Sequence, residues 1–400
     1  MKELFSHRWI VTLAVLLAAA SFVLVWFRSE STKKTPLGAP AAEHCRGSDT
    51  ELLSCWNDVL ASLLRRNGLG ASFDMIVTLS NVNPLFARNC HDFSHKLGAA
   101  AYTLFSQQEK LEFDLTGKTM YCSFGFYHGF METLMAKTGD FIKAPAFCTY
   151  VDRELSRKSP NAILACYHGI GHGFAESQGD HAWRDEDTII KRSLAQCETI
   201  TTDDHLLYLC ATGIFDSVAI AYYNNLYGLA MKKEDPLRIC YAQPTNYKEP
   251  CYKEMMTAIL WLGDHTLAGS APYVEQFAEE EYAPRSIQAL ADSSIRGVLA
   301  RHEDYTKNLS VCRSLRPNLR LPCVRGLAEG FLQFGPPGNE YEGALQFCNA
   351  SPLEREERDI CFQGALFYAA QKYPRETVQE ICNMVVHEYK KYCKETEDTI

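Results

Sequence analysis

The sequence lacks the short motifs by which several large enzyme classes are recognised. It contains no phosphate-binding P-loop, no GxSxG nucleophile elbow, no GxGxxG after a strand and no HExxH. P-loop nucleotide chemistry, nucleophile-elbow hydrolysis and zincin-type proteolysis therefore find no support. The absence of CxxCH argues against covalent c-type haem, whereas a b-type haem with axial histidines stays open.

Basic clusters and strand-like patterns are also scarce. The 400 residues contain 40 Lys and Arg against 49 Asp and Glu, for a net charge of −9, and no basic stripe. Nucleic acid is therefore not an expected partner. Strict alternation of polar and apolar residues is rare, and apolar residues recur every three or four positions, as between Leu206 and Val218. This periodicity predicts an all-α protein.

One apolar run is long enough to cross a bilayer. Residues 9–27 carry no charge, and this run just suffices for a transmembrane helix. A cleaved signal peptide is the alternative, because Ala18–Ala20 could serve a peptidase. The run continues for seven residues past these alanines, which favours an uncleaved anchor. We expect a cytoplasmic stub (1–8), a membrane anchor (9–27), a linker (28–44) and an extracytoplasmic domain (45–400).

Sixteen cysteines follow one another as short-range pairs. An even number of cysteines at regular spacing predicts a series of disulfides and an oxidising compartment, which is periplasmic, extracellular or lumenal. Cys90 lies beside His91, so it could instead be a thiolate ligand or a nucleophile. If neighbours pair, the bonds are Cys45–Cys55, Cys90–Cys122, Cys148–Cys166, Cys197–Cys210, Cys240–Cys251, Cys312–Cys323, Cys348–Cys361 and Cys382–Cys393.

Many of the second cysteines belong to an internal repeat. Cys122, Cys166 and Cys210 are each 44 residues apart, and glycine follows each of them three positions later. Related segments begin at residues 251, 294, 323 and 361, with Ser294 in place of a cysteine. A period near 40 residues predicts helical-hairpin repeats, as in an α-solenoid or an α/α-toroid, stapled by the disulfides. The recurring glycines are expected to permit close helix packing.

Five histidines in the first repeats have the spacing of metal ligands. His91 and His95 are four residues apart, as are His168 and His172, so each pair lies on one helix face. His128 and His172 each follow a repeat cysteine by six residues. The helices predicted around His91 and His95, around His128, and around His168 and His172 are therefore expected to present histidine to a common surface.

Carboxylates extend this pattern. Asp216 occupies the position of His128 and His172 in the next repeat, and Glu132 and Glu176 each come one helical turn later. Imidazole and carboxylate together suit zinc, iron or a similar first-row ion, and five histidines are enough for one or two ions. The alternative is that these histidines are hydrogen-bonded structural residues.

Two functions fit the sequence. One is a membrane-anchored, metal-dependent enzyme, a hydrolase or an oxidoreductase, with Glu132, Glu176 or Asp216 as ligand or general base. The other is a non-catalytic helical-repeat scaffold that binds a protein or peptide on its concave surface. An open coordination position would favour the enzyme, and a closed set of protein ligands would favour a structural role.

Overall fold

The computed structural model describes residues 45–107, 111–139 and 141–397. The predicted stub (1–8) and membrane anchor (9–27) and the linker (28–44) lie outside the described residues. Within these ranges the chain forms helices and turns and no strand, as the apolar periodicity predicted.

The described residues contain nineteen α-helices. They are α1 (Asp49–Val82), α2 (Pro84–Arg88), α3 (Cys90–Phe105), α4 (Gly125–Thr138), α5 (Lys143–Leu155), α6 (Ala162–Glu176), α7 (Glu186–Ile200), α8 (Asp204–Tyr223), α9 (Arg238–Tyr241), α10 (Thr245–Glu254), α11 (Met256–Leu262), α12 (Leu267–Phe277), α13 (Ala283–Arg301), α14 (Thr306–Ser314), α15 (Pro317–Phe334), α16 (Glu340–Cys348), α17 (Arg355–Lys372), α18 (Arg375–Met384) and α19 (Lys391–Glu397).

The first helix shows how local sequence sets the ends and bends of these elements. Ser48 caps α1, because its hydroxyl accepts from the backbone N–H of Glu51 while the Glu51 carboxylate accepts from the Ser48 N–H. Gly68 interrupts the same helix with a φ of 83°, a conformation that favours glycine. The long helix is therefore bent at Gly68.

Eight of the described helices pack in a continuous series. We call α3, α4, α6, α8, α10, α13, α15 and α17 the core helices, because each of them packs against the next. The helices between them, such as α5, α7, α14 and α16, pack against the core helix that follows in the chain. Side chains on neighbouring core helices can therefore contact one another.

The eight disulfides pair as nearest neighbours, and none of the sixteen cysteines, all of which are described, is free. Cys90 is bonded to Cys122, so its interpretation as a thiolate ligand or nucleophile is wrong. Five bonds join a connecting helix to the core helix that follows it. Their cysteines are Cys148–Cys166, Cys197–Cys210, Cys240–Cys251, Cys312–Cys323 and Cys348–Cys361.

Glycine lets the first core helices approach closely. A Cβ atom on Gly129 of α4 would lie 1.9 Å from the carbonyl oxygen of His95 on α3. A Cβ on Gly213 of α8 would lie at the same distance from the carbonyl oxygen of His168 on α6. Gly297 is an exception, since the atoms nearest to a Cβ there belong to the flexible side chain of Arg301 on its own helix. Close approach thus explains the glycines nearest the histidines.

The end of the helix series contacts an early loop. The Ser159 hydroxyl, just before α6, lies 3.5 Å from the carbonyl oxygen of Lys372, which ends α17. The ammonium of Lys372 forms a buried ion pair of 2.9 Å with Glu340, and Tyr373 donates a hydrogen bond to the same carboxylate. Residues more than 200 positions apart are therefore neighbours.

One helix in the described part of the chain, α8, could span a membrane by length and composition alone. Most of its apolar stretch is buried against the rest of the protein, as in the core helix of a soluble domain. This is weak evidence for a membrane span.

Candidate metal centre

The predicted histidines and carboxylates lie on four consecutive core helices. Because these helices pack closely at glycine, side chains from different helices come within reach of one another. They are His91 and His95 on α3, His128 and Glu132 on α4, His168, His172 and Glu176 on α6, and Asp216 on α8.

Four of these residues converge on one point. His128, His168, His172 and Asp216 each offer an atom within 4.8 Å of the others. The Nε2 atoms of His168 and His172 are 3.2 Å apart, and the Asp216 Oδ2 lies 3.2 Å from the His172 Nε2 and 3.6 Å from the His168 Nε2. Tetrahedral ligands about 2.0–2.1 Å from an ion are about 3.3–3.4 Å apart. The spacing of these three atoms fits a single small ion.

Hydroxyl groups fix the orientation of two of the imidazoles. The Thr212 hydroxyl donates to the Leu209 carbonyl at 2.7 Å, so it accepts from the His168 Nδ1, also at 2.7 Å. The Ser217 hydroxyl lies 2.9 Å from the His172 Nδ1. A proton on Nδ1 leaves the Nε2 lone pair free for a metal, which is the usual role of such outer partners.

His128 is the member of this group that has an unsatisfied buried nitrogen. Its side chain is only 3% exposed, and its Nε2 has no hydrogen-bond partner within the described residues. Its ring stacks on that of His172 at a centroid distance of 4.2 Å. An unsatisfied buried polar atom costs about 1–3 kcal/mol, and a bound ion would remove this penalty.

The charges in this group suit metal binding. Burial lowers the pKa values of His128 and His168, so both imidazoles are neutral near pH 7. Burial opposes ionisation of Asp216, but the adjacent imidazoles of His168 and His172 outweigh it and keep the pKa of this carboxyl low. Burial also opposes protonation of His172, yet the Asp216 carboxylate raises its pKa overall. A cation would replace the proton that His172 and Asp216 otherwise share.

His91 and His95 lie beside this group rather than within it. The His95 Nε2 is 2.8 Å from the Glu132 carboxylate, and the His91 Nδ1 is 3.1 Å from the Cys122 carbonyl oxygen. The other Glu132 oxygen is 3.6 Å from the His172 Nδ1. Glu132 therefore connects His95 to the four converging ligands.

Glu176 lies one turn beyond His172. It accepts a hydrogen bond of 3.3 Å from the Tyr227 hydroxyl. Burial and the charge of Glu132 raise the pKa of Glu176, whereas hydrogen bonding and the charge of His95 lower that of Glu132 in spite of burial. The two glutamates, equivalent in sequence, thus differ in their tendency to hold a proton.

Sequence reasoning missed Thr212, Ser217 and Tyr227. Thr212 follows Cys210 by two positions, as His168 follows Cys166, so the repeat register could have indicated it. Ser217 adjoins the predicted Asp216. Tyr227 comes from a turn after α8, and no periodic pattern marks it.

No protein-family model, curated protein or solved structure matches this chain. Inference about its function therefore depends on the geometry of its own residues.

Proposed function

We propose that this chain is a membrane-anchored, extracytoplasmic metalloprotein that acts as a metal-dependent enzyme, a hydrolase or an oxidoreductase. The observation that supports it best is the convergence of His128, His168, His172 and Asp216, with the His128 Nε2 lacking a hydrogen-bond partner among the described residues. Three imidazoles and one carboxylate suit zinc or iron.

The surrounding residues have separate roles in this proposal. His128, His168, His172 and Asp216 would hold the ion, which when bound supplies a Lewis acid or an activated oxygen ligand. Glu132 lies beside this group without belonging to it, with a carboxylate oxygen 3.6 Å from the His172 Nδ1. We assign it the role of general base, with Glu176 one helical turn further away.

The location and the architecture are parts of the same proposal. Eight disulfides are consistent with an oxidising compartment, and the apolar residues 9–27 would tether the domain to a membrane. The series of core helices would form a solenoid that closes into a ring, which the contact between Ser159 and Lys372 supports.

A structural metal site within a binding scaffold is the second candidate. Four protein ligands already make a complete tetrahedral set, and closed sets are typical of structural zinc sites. Cobalt(II) substitution separates the two functions, because its visible spectrum distinguishes four-coordinate from five-coordinate sites. A five-coordinate spectrum that responds to added anions would favour the enzyme.

Metal content tests the site itself. We expect the full chain, purified in detergent without chelator, to carry about one equivalent of zinc or iron, as measured by elemental mass spectrometry. Asp216→Asn and His172→Ala should each remove most of this metal while circular dichroism stays near wild type. The matched control is His205→Ala, an exposed histidine on α8 outside the group. Wild-type metal content in both site variants would refute the proposal.

A further inference from the structure

The disulfide between Cys90 and Cys122 differs from most of the other bonds in what it connects. Cys90 is the first residue of α3, and Cys122 lies three residues before α4, so the bond joins the starts of two successive core helices. The five bonds that each join a connecting helix to its own core helix are called here the five buried bonds. The bond between Cys90 and Cys122 instead holds α4, which carries His128, beside α3.

This pair of cysteines is more accessible than those of the five buried bonds. Cys90 and Cys122 are 7% and 8% exposed, whereas every cysteine of the five buried bonds is 0% exposed. A thiolate must reach a sulfur atom in order to open a disulfide, so the rate of opening depends on access. The bond between Cys90 and Cys122 should therefore open before the five buried bonds.

Two features favour Cys90 as the sulfur that leaves when the bond opens. Cys90 lies at the start of α3, where the Asn89 side chain makes no capping hydrogen bond, and the backbone N–H groups of a helix N-terminus stabilise a thiolate. The Ser80 hydroxyl also donates to the Cys90 Sγ at 3.4 Å. Because a sulfur that is stable as a thiolate departs faster, attack on the Cys122 Sγ is the favoured direction.

The backbone that follows this bond has a disfavoured conformation. Cys122, Ser123 and Phe124 have φ values of 57°, 53° and 63°, in the left-handed region that residues with a Cβ atom rarely occupy. Such residues persist where the surrounding structure constrains them. The covalent link from Cys122 to α3 is one such constraint, so its loss should let this turn relax.

The position of this turn affects the position of His128. The Cys122 carbonyl oxygen lies 3.1 Å from the His91 Nδ1. A Cβ on Gly125, the first residue of α4, would lie 2.6 Å from the carbonyl oxygen of His91, so the start of α4 packs directly against α3. His128 comes three residues after Gly125. A change in the turn would therefore displace a proposed ligand of the ion.

We propose that Cys90 and Cys122 form a redox-active pair, which a dithiol reductant opens and which thereby controls the candidate metal centre. A thiolate of the reductant attacks the Cys122 Sγ, and the Cys90 Sγ leaves as a thiolate. The second thiol of the reductant then attacks the reductant's own sulfur in the mixed disulfide and releases Cys122. The reductant ends as a disulfide, and both cysteines end as thiols that carry its two protons. The effect on the ion rests on the proposed function, whereas the opening of the bond and the release of α4 do not.

Graded reduction of the full wild-type chain tests the proposal. The chain is treated with increasing dithiothreitol, its free thiols are alkylated, and the reagents are removed. Peptide mapping should find Cys90 and Cys122 alkylated before any cysteine of the five buried bonds. In that form, hydrogen exchange at residues 125–128 should be faster, and zinc affinity should be at least about tenfold lower.

Three results would overturn the proposal. They are alkylation of the five buried bonds first, unchanged hydrogen exchange once Cys90 and Cys122 are alkylated, and unchanged zinc affinity in that form. A chain that binds no zinc before reduction would refute the metal centre and its control. The order of alkylation and the exchange of α4 would still decide whether this pair is redox-active.

Serine variants reproduce the open bond without alkylation. Cys90→Ser combined with Cys122→Ser should bind zinc at least about tenfold more weakly than the wild-type chain. The matched control is Cys382→Ser combined with Cys393→Ser, which removes a bond between α18 and α19, two helices that carry no residue of the metal centre. The control should bind zinc as the wild type does. Equal zinc affinity in the two double variants would contradict the proposal.

Discussion

His91 shows how one residue beside the candidate metal centre is kept neutral. Burial, together with the positive charge of Arg296, lowers its pKa to about 4. Its Nδ1 lies 3.1 Å from the Cys122 carbonyl oxygen, an acceptor for the proton of a neutral ring. Folding therefore disfavours the charged form of His91.

This lowered pKa predicts a loss of stability in acid. Because the unfolded chain binds a proton at His91 near pH 6.5 and the folded chain does so only near pH 4, stability falls as pH drops between these values. Between pH 7 and pH 5 the loss from this residue is about 1–2 kcal/mol. We expect urea unfolding of His91→Gln, in chelator, to show a correspondingly smaller fall than wild type.

His205→Gln is the matched control, since it changes an exposed histidine. It should leave the pH dependence as in the wild-type chain. If His91→Gln and the wild type lose the same free energy of unfolding between pH 7 and pH 5, the buried neutral state assigned to His91 is wrong.

At the scale of elements, five of the disulfides close a turn between a connecting helix and the core helix that follows it. Cys312 on α14 and Cys323 on α15 are separated by 11 residues and are both fully buried. Closing a loop of this size limits the unfolded chain and contributes about 3 kcal/mol in the chain-entropy model. The bond therefore stabilises one helical pair without connecting it to the next.

Replacing Cys312 and Cys323 together by serine should lower the free energy of unfolding by about 2–4 kcal/mol. The candidate metal centre lies on α4, α6 and α8, so the metal content of this variant should stay at the wild-type level. Guanidinium unfolding and elemental analysis measure the two effects. A variant that keeps its stability, or that loses metal, would contradict this separation.

At the scale of the whole molecule, a buried ion pair lies beside a contact between distant parts of the chain. Lys372 and Glu340 are only 5% and 1% exposed, and the Lys372 ammonium also donates to the Leu332 carbonyl at 2.6 Å. The carbonyl of the same lysine lies beside Ser159. Lys372 thus supports the contact between the last core helix and an early loop.

Lys372→Met should destabilise the protein by about 3–5 kcal/mol, because it leaves the Glu340 carboxylate buried without its cation. Adding Glu340→Gln should recover part of the loss, since the remaining polar group is uncharged. Chemical denaturation of the single and double variants measures both effects. A single variant as stable as wild type, or a double variant less stable than the single, would contradict this account.

Much of the fold was predictable because its signals are local. Cysteine spacing predicted all eight disulfides, and apolar periodicity predicted an all-helical chain. The register of the repeat placed Asp216 beside His172, where the structure has it. Such signals repeat every few residues or every few tens of residues, so a single sequence reveals them.

The remaining features depend on how helices turn about one another. His91 and His95 have the same four-residue spacing as His168 and His172. Only the second pair has its nitrogens in the converging group. The contact between Ser159 and Lys372 has no periodic signal at all. The rotation of each helix about its axis and the contact between Ser159 and Lys372 both result from packing between residues that are far apart in the sequence.

The disulfides leave two interfaces of the candidate metal centre without a covalent link. Cys148–Cys166 and Cys197–Cys210 each join a connecting helix to its core helix, and no bond crosses from α4 to α6 or from α6 to α8. An ion held by His128, His172 and Asp216 would be the one strong link across both. Tension that pulled these core helices apart would therefore break the ligand set of the ion while every disulfide stayed closed.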